Sequence, residues 1–478
     1  MGPAETVVLL SIDGMRWDYP ARARAPALAS MAAQGASAGS LVPPFPSSTF
    51  PSHATLATGV YPDRHGIVNN EFFDRVRGDF RRDDDPAWLL AEPLWVTAER
   101  QGVRTAIAHW VFSYAPWRGI AATHRMPFSA ETRDSEKIDR ILDWLSLSGR
   151  DRPRLILAYL HGPDAVGHSE GPDAPAVLDR VLRTDRLVAR LLKALDGVPR
   201  SALVVVSDHG MAVVSRTLRT RGILGVGEAR RARAVSTGAV SNIYCPDARA
   251  CSAAEAALRR IEGLSLFQLD RLPEGLRYGV PSRTGDLVAI APMGAYFVDG
   301  TKETPPARGM HGYRPELREM QGIFFARGAG VKAGARRDSL RAVDVAPFIC
   351  RLLGIAPAPD IDGVAPENLL AGTHPVPPPA SGSPATTDPG RPGGTTQYPG
   401  IFLGQGRAPA DRPPPPPVAG DAWRATLTRA GRRSEPPSTY PFVASARTRL
   451  SFPASIVVST AMASAVAGSK RCPTVWIA

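Results

Sequence analysis

VVLLSIDG, residues 7–14, is an apolar run of strand length that ends in an Asp-Gly turn. An uninterrupted apolar run has no face to give to water, so it predicts an interior parallel strand covered on both sides, with Asp13 at its carboxyl end. Outward from it, strand and helix alternate. A helical segment is expected near residues 23–33, and Pro93 opens a helix that Gly102 stops, before Val103–Ala108 returns as strand. Leu155–Leu160 (LILAYL) and Leu203–Val206 (LVVV) repeat the interior-strand signature. Between them Asp173 is the expected cap, and Pro175 the first turn, of a helix whose apolar stripe of 3.6-residue period runs from Val177 to Leu195. Strand Ile323–Ala326 and a helix over residues 342–353 close the body. The pattern is that of an α/β fold: a doubly wound, mostly parallel sheet with helices on both faces.

In such sheets ligands gather beyond the carboxyl ends of the strands. Three strand ends here carry Asp13, then Asp164 and His168, then Asp208 and His209, while His311 lies in a later loop. Singly each has an ordinary explanation: Asp before Gly is a turn residue, and Asp164 and His168, four apart, would form an exposed pair on a helix. Together they are three carboxylates and three imidazoles at the mouth of one sheet, which calls for cations. Six such ligands suffice for two metals with open positions. A metal pair can hold the attacking and leaving oxygens of an in-line phosphoryl displacement. Residues 43–70, PPFPSSTFPSHATLATGVYPDRHGIVNN, offer the hydroxyl for that attack at Thr49. A threonine oxygen is a poor nucleophile unless its proton is taken, so hydroxyl and metals belong to one hypothesis.

Composition divides the chain. Its 47 prolines are about twice the usual share and crowd beyond Leu370, in text such as VPPPASGSPATTDPGRPGG. We therefore expect a catalytic domain over residues 1–370, with a smaller α+β insertion at about 217–307, and a disordered Pro/Arg/Ser-rich tail over 371–478. The formal charge of +12 is concentrated in that tail: residues 371–478 hold 11 Lys+Arg against 4 Asp+Glu, leaving only +5 for the rest. No interleaved basic and aromatic patch appears, so no nucleic-acid partner is expected. Four cysteines form no CxxC pair, which excludes a cysteine zinc site; Cys350 reads as core, and a Cys245–Cys251 bridge stays open. No stretch is long and apolar enough for a membrane span, and MGPAETVVLL lacks the basic start of an export signal.

The set SIDGMRWDYP, SSTFPSHATLATGVYPDRHGIVNN, AEPLWVTAERQG, YLHGPDAVGHSEGP, VVVSDHGM and GMHGYRPELREMQGIFFARG, in this order, resembles the nucleotide pyrophosphatase/phosphodiesterase branch of the alkaline phosphatase superfamily. The resemblance covers residues 7–370. It implies an alkaline-phosphatase-like core and a two-metal hydrolase that cleaves small phosphodiester or nucleotide substrates through a phosphothreonine. It also implies that Asp13, Asp208 and His209 hold one zinc beside Thr49, that Asp164, His168 and His311 hold the other, and that the Asn70 amide binds a non-bridging phosphate oxygen. Phe50 and Tyr159 match positions that stack on the base. Many relatives read TFPNH where this chain has Ser52, a change at the pocket rim. Exported relatives imply a periplasmic or extracellular location, against the plain N-terminus. Two readings compete: the same metal core acting on lipid headgroups or phosphonates, and a scaffold that binds without catalysis. A sulfatase lacks its C/S-x-P-x-R motif here.

Overall fold

The computed structural model describes residues 3–299 and 306–372; the expected disordered tail lies outside the described residues. The strands used below are β1 Thr6–Ile12, β2 Ala36–Val42, β3 Glu71–Asp74, β4 Gly78–Arg81, β5 Thr105–Ala108, β6 His124–Met126, β7 Leu155–Leu160, β8 Ser201–Val206, β9 Gly322–Gly328 and β10 Ala335–Arg337. The central sheet runs β10-β2-β9-β8-β1-β7-β5-β6, with Leu340–Arg341 added beside β2 as its ninth strand. β1 lies parallel to both neighbours, Leu10 facing Ala158 of β7 and Val205 of β8. β9 is antiparallel to β8 and to β2.

The apolar run of β1 is used on both faces. Val7 and Leu9 belong to one core, with the helices Thr49–Thr58, Leu94–Arg100 and Val345–Leu353. Val8, Leu10 and Ile12 belong to the other, with the helices Pro26–Gln34, Asp134–Ser146 and Pro175–Leu195. Two local expectations change. The cap position of the long helix is Ala174, because Asp173 is drawn away by Arg16 and Arg22 at 3.0 and 2.7 Å. Asp164 and His168 do sit on one helix, Asp164–Glu170, yet both are buried, because that helix begins at the sheet's mouth rather than on the surface.

A separate antiparallel sheet, Arg233–Thr237, Val240–Tyr244, Leu287–Ile290 and Ser265–Gln268, packs with helix Ala248–Leu258 around its own core. Cys245 and Cys251 are bonded there, and Cys350 is buried in the main core. No helix among the described residues is long and apolar enough to cross a membrane.

Candidate active site

The site is assembled where parallel strands end. β1 delivers Asp13, the segment after β7 delivers Asp164, and the segment after β8 delivers Asp208 and His209. Two glycines allow this crowding. Gly14, at φ +64°, has Asp164 Cα 2.8 Å from where a Cβ would stand, and Gly162, at φ +52°, lies against the Asp13 backbone. A side chain at either position would push apart the turns that carry the two carboxylates.

Thr49 opens the helix Thr49–Thr58, and its Oγ1 lies 3.3 Å from His209 Nε2. The same Nε2 is 3.4 Å from Asp13 Oδ1 and 3.4 Å from Asp208 Oδ2. Across the site, Asp164 Oδ1 is 3.5 Å from His168 Nε2 and 4.0 Å from His311 Nε2. The His209 and His311 rings stack at 3.7 Å. All six charged or ring-bearing candidates and Thr49 are buried together. Two compact triads emerge, Asp13–Asp208–His209 and Asp164–His209–His311, each with ligand atoms within 4.8 Å. The first coincides with the expected set; in the second His209 stands where His168 was expected, with His168 reaching the group through Asp164.

Hydrogen bonds settle how the imidazoles present themselves. His168 Nδ1 donates to the Gly309 carbonyl at 2.8 Å, His209 Nδ1 to Gly210 at 2.8 Å and His311 Nδ1 to Ser47 at 3.0 Å. A carbonyl only accepts, so each Nδ1 carries a proton, and the neutral form of each ring turns its Nε2 lone pair to the site. Asp13 Oδ1, Asp164 Oδ1, Asp208 Oδ2, His168 Nε2 and His311 Nε2 are buried without a hydrogen-bond partner among the described residues. Five converging orphan acceptors would be costly as they stand. They fit divalent cations, and the oxygen and nitrogen donor set is one that such ions accept.

The proton affinities agree. Burial, then Asp208 and Asp164, holds the Asp13 carboxyl well above the usual range, and burial, then Asp164, raises Asp208. Burial lowers His311 far below its ordinary value; the His209 and His168 rings and the Arg82 guanidinium push the same way. Each group resists the charge of its neighbours, and a cation reverses that balance.

Asn70 Oδ1 accepts the Phe50 N–H at 2.9 Å, which leaves the amide Nδ2 as its free donor beside the helix start. Phe50 is half-buried, edge-on to Phe80 and Phe112 at 5.6 Å each. Tyr159 differs from its expected base-stacking role: its hydroxyl donates to Asp13 Oδ2 at 2.6 Å, and its ring is enclosed by His53, His161 and the Lys137 ammonium. Two supporting residues carried no sequence signal of their own. His53, four residues after Thr49, donates Nδ1–H to the Thr49 carbonyl at 2.8 Å and receives the Ser11 hydroxyl on Nε2 at 2.9 Å. Burial lowers its pKa to about 3, so it stays neutral. Lys137 is buried between Asp134 and His161.

The family model for type I phosphodiesterase / nucleotide pyrophosphatase matches residues 7–314. An uncharacterized pyrophosphatase/phosphodiesterase of Schizosaccharomyces pombe is 31% identical over 72% of this chain and 74% of its own length. The human ectonucleotide pyrophosphatase/phosphodiesterase family member 5 is 27% identical over 74% of this chain and 76% of its own. Among solved structures, an inactive Thr-to-Ala variant of the murine family member 5 in complex with AMP superposes with a TM-score of 0.72, at 25% identity, over 77% of this chain and 100% of that one. Because the family match runs unbroken from the first strand past His311, this chain belongs to the type I phosphodiesterase / nucleotide pyrophosphatase family of the alkaline phosphatase superfamily, and is a hydrolase of that class.

Proposed function

We propose that the protein hydrolyses nucleotide phosphodiester or pyrophosphate bonds through a phosphothreonine on Thr49. One observation carries this reading: the Thr49 hydroxyl stands 3.3 Å from His209 Nε2, at the edge of a buried set of acceptors that have no donor. Asp13, Asp208 and His209 would hold one divalent cation, and Asp164, His168 and His311 a second, zinc suiting the mixed imidazole and carboxylate set. Such ions, when bound, neutralise the phosphate and supply Lewis acidity.

The chain's own groups do the rest. Thr49 Oγ1 gives up its proton and attacks phosphorus in line, forming the phosphothreonine as the alcohol or nucleotide group leaves. Asn70 Nδ2 donates to a non-bridging oxygen as charge builds there, held in that orientation because its Oδ1 is already engaged. The phosphoryl group then sits at the amino end of the helix Thr49–Thr58, where the helix dipole favours an anion. Water opens the phosphothreonine from the side the leaving group vacated. The AMP held by the murine relative supports a nucleotide as substrate.

The test is Thr49→Ala. Turnover of the p-nitrophenyl ester of thymidine monophosphate should drop by about a thousandfold or more, with metal content by elemental analysis unchanged. Wild-type turnover in that variant sinks the mechanism. Faster wild-type turnover of p-nitrophenyl phosphocholine or of a phosphonate ester would instead assign the core to lipid headgroups or phosphonates.

A further inference from the structure

Asn70 stands in the middle of a short stretch whose two ends are held by one side chain from the smaller sheet. Arg283 lies four residues before the strand Leu287–Ile290, and its side chain is only 3% exposed. Its Nε donates to Asp74 Oδ2 at 2.9 Å, and its Nη1 donates to the carbonyls of Gly66 and Trp88 at 2.7 Å each. Gly66 and Asp74 sit four residues before and four residues after Asn70. At Gly66, φ +82°, a Cβ would collide with the Arg283 Nη1, so the close approach depends on glycine. Asp74 Oδ1 accepts the Val76 N–H at 2.8 Å, and the same carboxylate therefore also fixes the turn between β3 and β4.

The hold is reciprocal. Arg75 reaches from the hairpin into the segment around Arg283, where its Nη1 donates to the carbonyls of Pro281 and Thr284 at 2.8 and 2.9 Å and its Nη2 to Asp286 Oδ1 at 2.8 Å. The Arg75 N–H donates to the Ser282 carbonyl at 2.8 Å. Tyr244 closes the circuit: its hydroxyl accepts the Phe73 N–H at 3.0 Å and donates to the Arg283 carbonyl at 2.7 Å. A buried ion pair such as Arg283–Asp74 is weak as a source of stability, because both charges lose their water. A planar guanidinium fork fixes direction as well as distance, and the object fixed here is the backbone that carries Asn70. The Asn70 side chain is then oriented by the Phe50 N–H.

Resting on the function proposed above, we propose that Arg283 and Arg75 are positioning residues for the reaction: they hold the Asn70 stretch so that Nδ2 meets the non-bridging oxygen in the transition state. The smaller sheet is then part of the machinery that stabilises developing charge. Neither arginine is assigned a contact with substrate.

The experiment measures kcat and KM for the p-nitrophenyl ester of thymidine monophosphate in the wild type, Arg283→Lys, Arg75→Gln and Asn70→Ala, and in each arginine variant combined with Asn70→Ala. Asn70→Ala should lower kcat about a hundredfold. Arg283→Lys keeps a charge beside Asp74 and gives up the fork; kcat should fall about tenfold with KM within twofold, the pattern of an interaction made only in the transition state. In the Asn70→Ala background the same change should cost less than about twofold, because the group that it positions is gone. Arg75, a third open to solvent, should follow the same pattern with a smaller loss, an arm that stays readable if Arg283→Lys folds poorly. Equal factors in the two backgrounds would show that the arginines support the fold as a whole and would overturn the proposal, as would a kcat within twofold of wild type in both single arginine variants. With Asn70→Ala strongly impaired, those two outcomes refute this inference alone. A wild type inert to the ester, or an Asn70→Ala enzyme as fast as wild type, refutes the reading of the site beneath it as well.

Discussion

Tyr159 holds Asp13 from behind, and its hydroxyl is the only side-chain donor that this carboxylate meets among the described residues. Outer partners of that kind orient a ligand and tune its basicity, and losing one typically costs ten- to a hundredfold in metal affinity or activity. Tyr159→Phe should therefore release metal to a competing chelator at about tenfold lower chelator concentration, with kcat/KM falling in step; unchanged chelator competition would leave the tyrosine a packing residue. At this scale the sequence was informative about identity and poor about environment. Asp13, Asp164, Asp208, His209 and His311 could be picked out because acid and imidazole side chains at the ends of apolar strands have few structural uses. The enclosure of Tyr159 could not, since its hydroxyl bond to Asp13 spans 146 residues of chain.

Elements were legible in proportion to how much water they exclude. β1, β7 and β8 are apolar on both faces and stood out; β2, ASAGSLV, is built of small residues and did not, although it lies inside the same sheet. In the smaller sheet Arg233–Thr237 escaped for a related reason, because it is only half-buried and its alternation is weak. The loop that follows β5 is tied in part by a buried carboxylate. Asp84 accepts the N–H of Phe112, whose φ is 62° and whose ring packs on Phe50. Burial pushes the Asp84 carboxyl up to about 7. A folded pKa above the unfolded 3.8 means that the native state binds the extra proton, so this group's contribution to stability declines as pH rises from about 4 to about 7. Asp84→Asn keeps the accepting oxygen without the charge. Its unfolding free energy in urea should match wild type near pH 4 and exceed it increasingly up to pH 7, then hold level; a gap independent of pH would show that the carboxyl is not strained by its burial.

Across the whole molecule, residues 13, 164 and 208 meet at one place because parallel strands with long crossovers return each carboxyl end to the same edge of the sheet, and residue 311 joins them from the loop before the antiparallel β9. That convergence was readable from strand order alone, while the tie between the main sheet and the smaller one was not. It also concentrates like charge, and cations bound by the native state alone would add their binding free energy to folding. Exhaustive dialysis against EDTA should lower the melting temperature by several degrees, and zinc should restore it at stoichiometric addition; a transition indifferent to chelator would mean that the carboxylates are accommodated by protons instead. The Ser47 carbonyl accepts both His311 Nδ1–H and the Gly312 N–H, and Ser47 stands two residues before Thr49. A segment 264 residues further along the chain therefore clasps the approach to Thr49, so this end of the helix is set in place only by the folded protein and by no local signal.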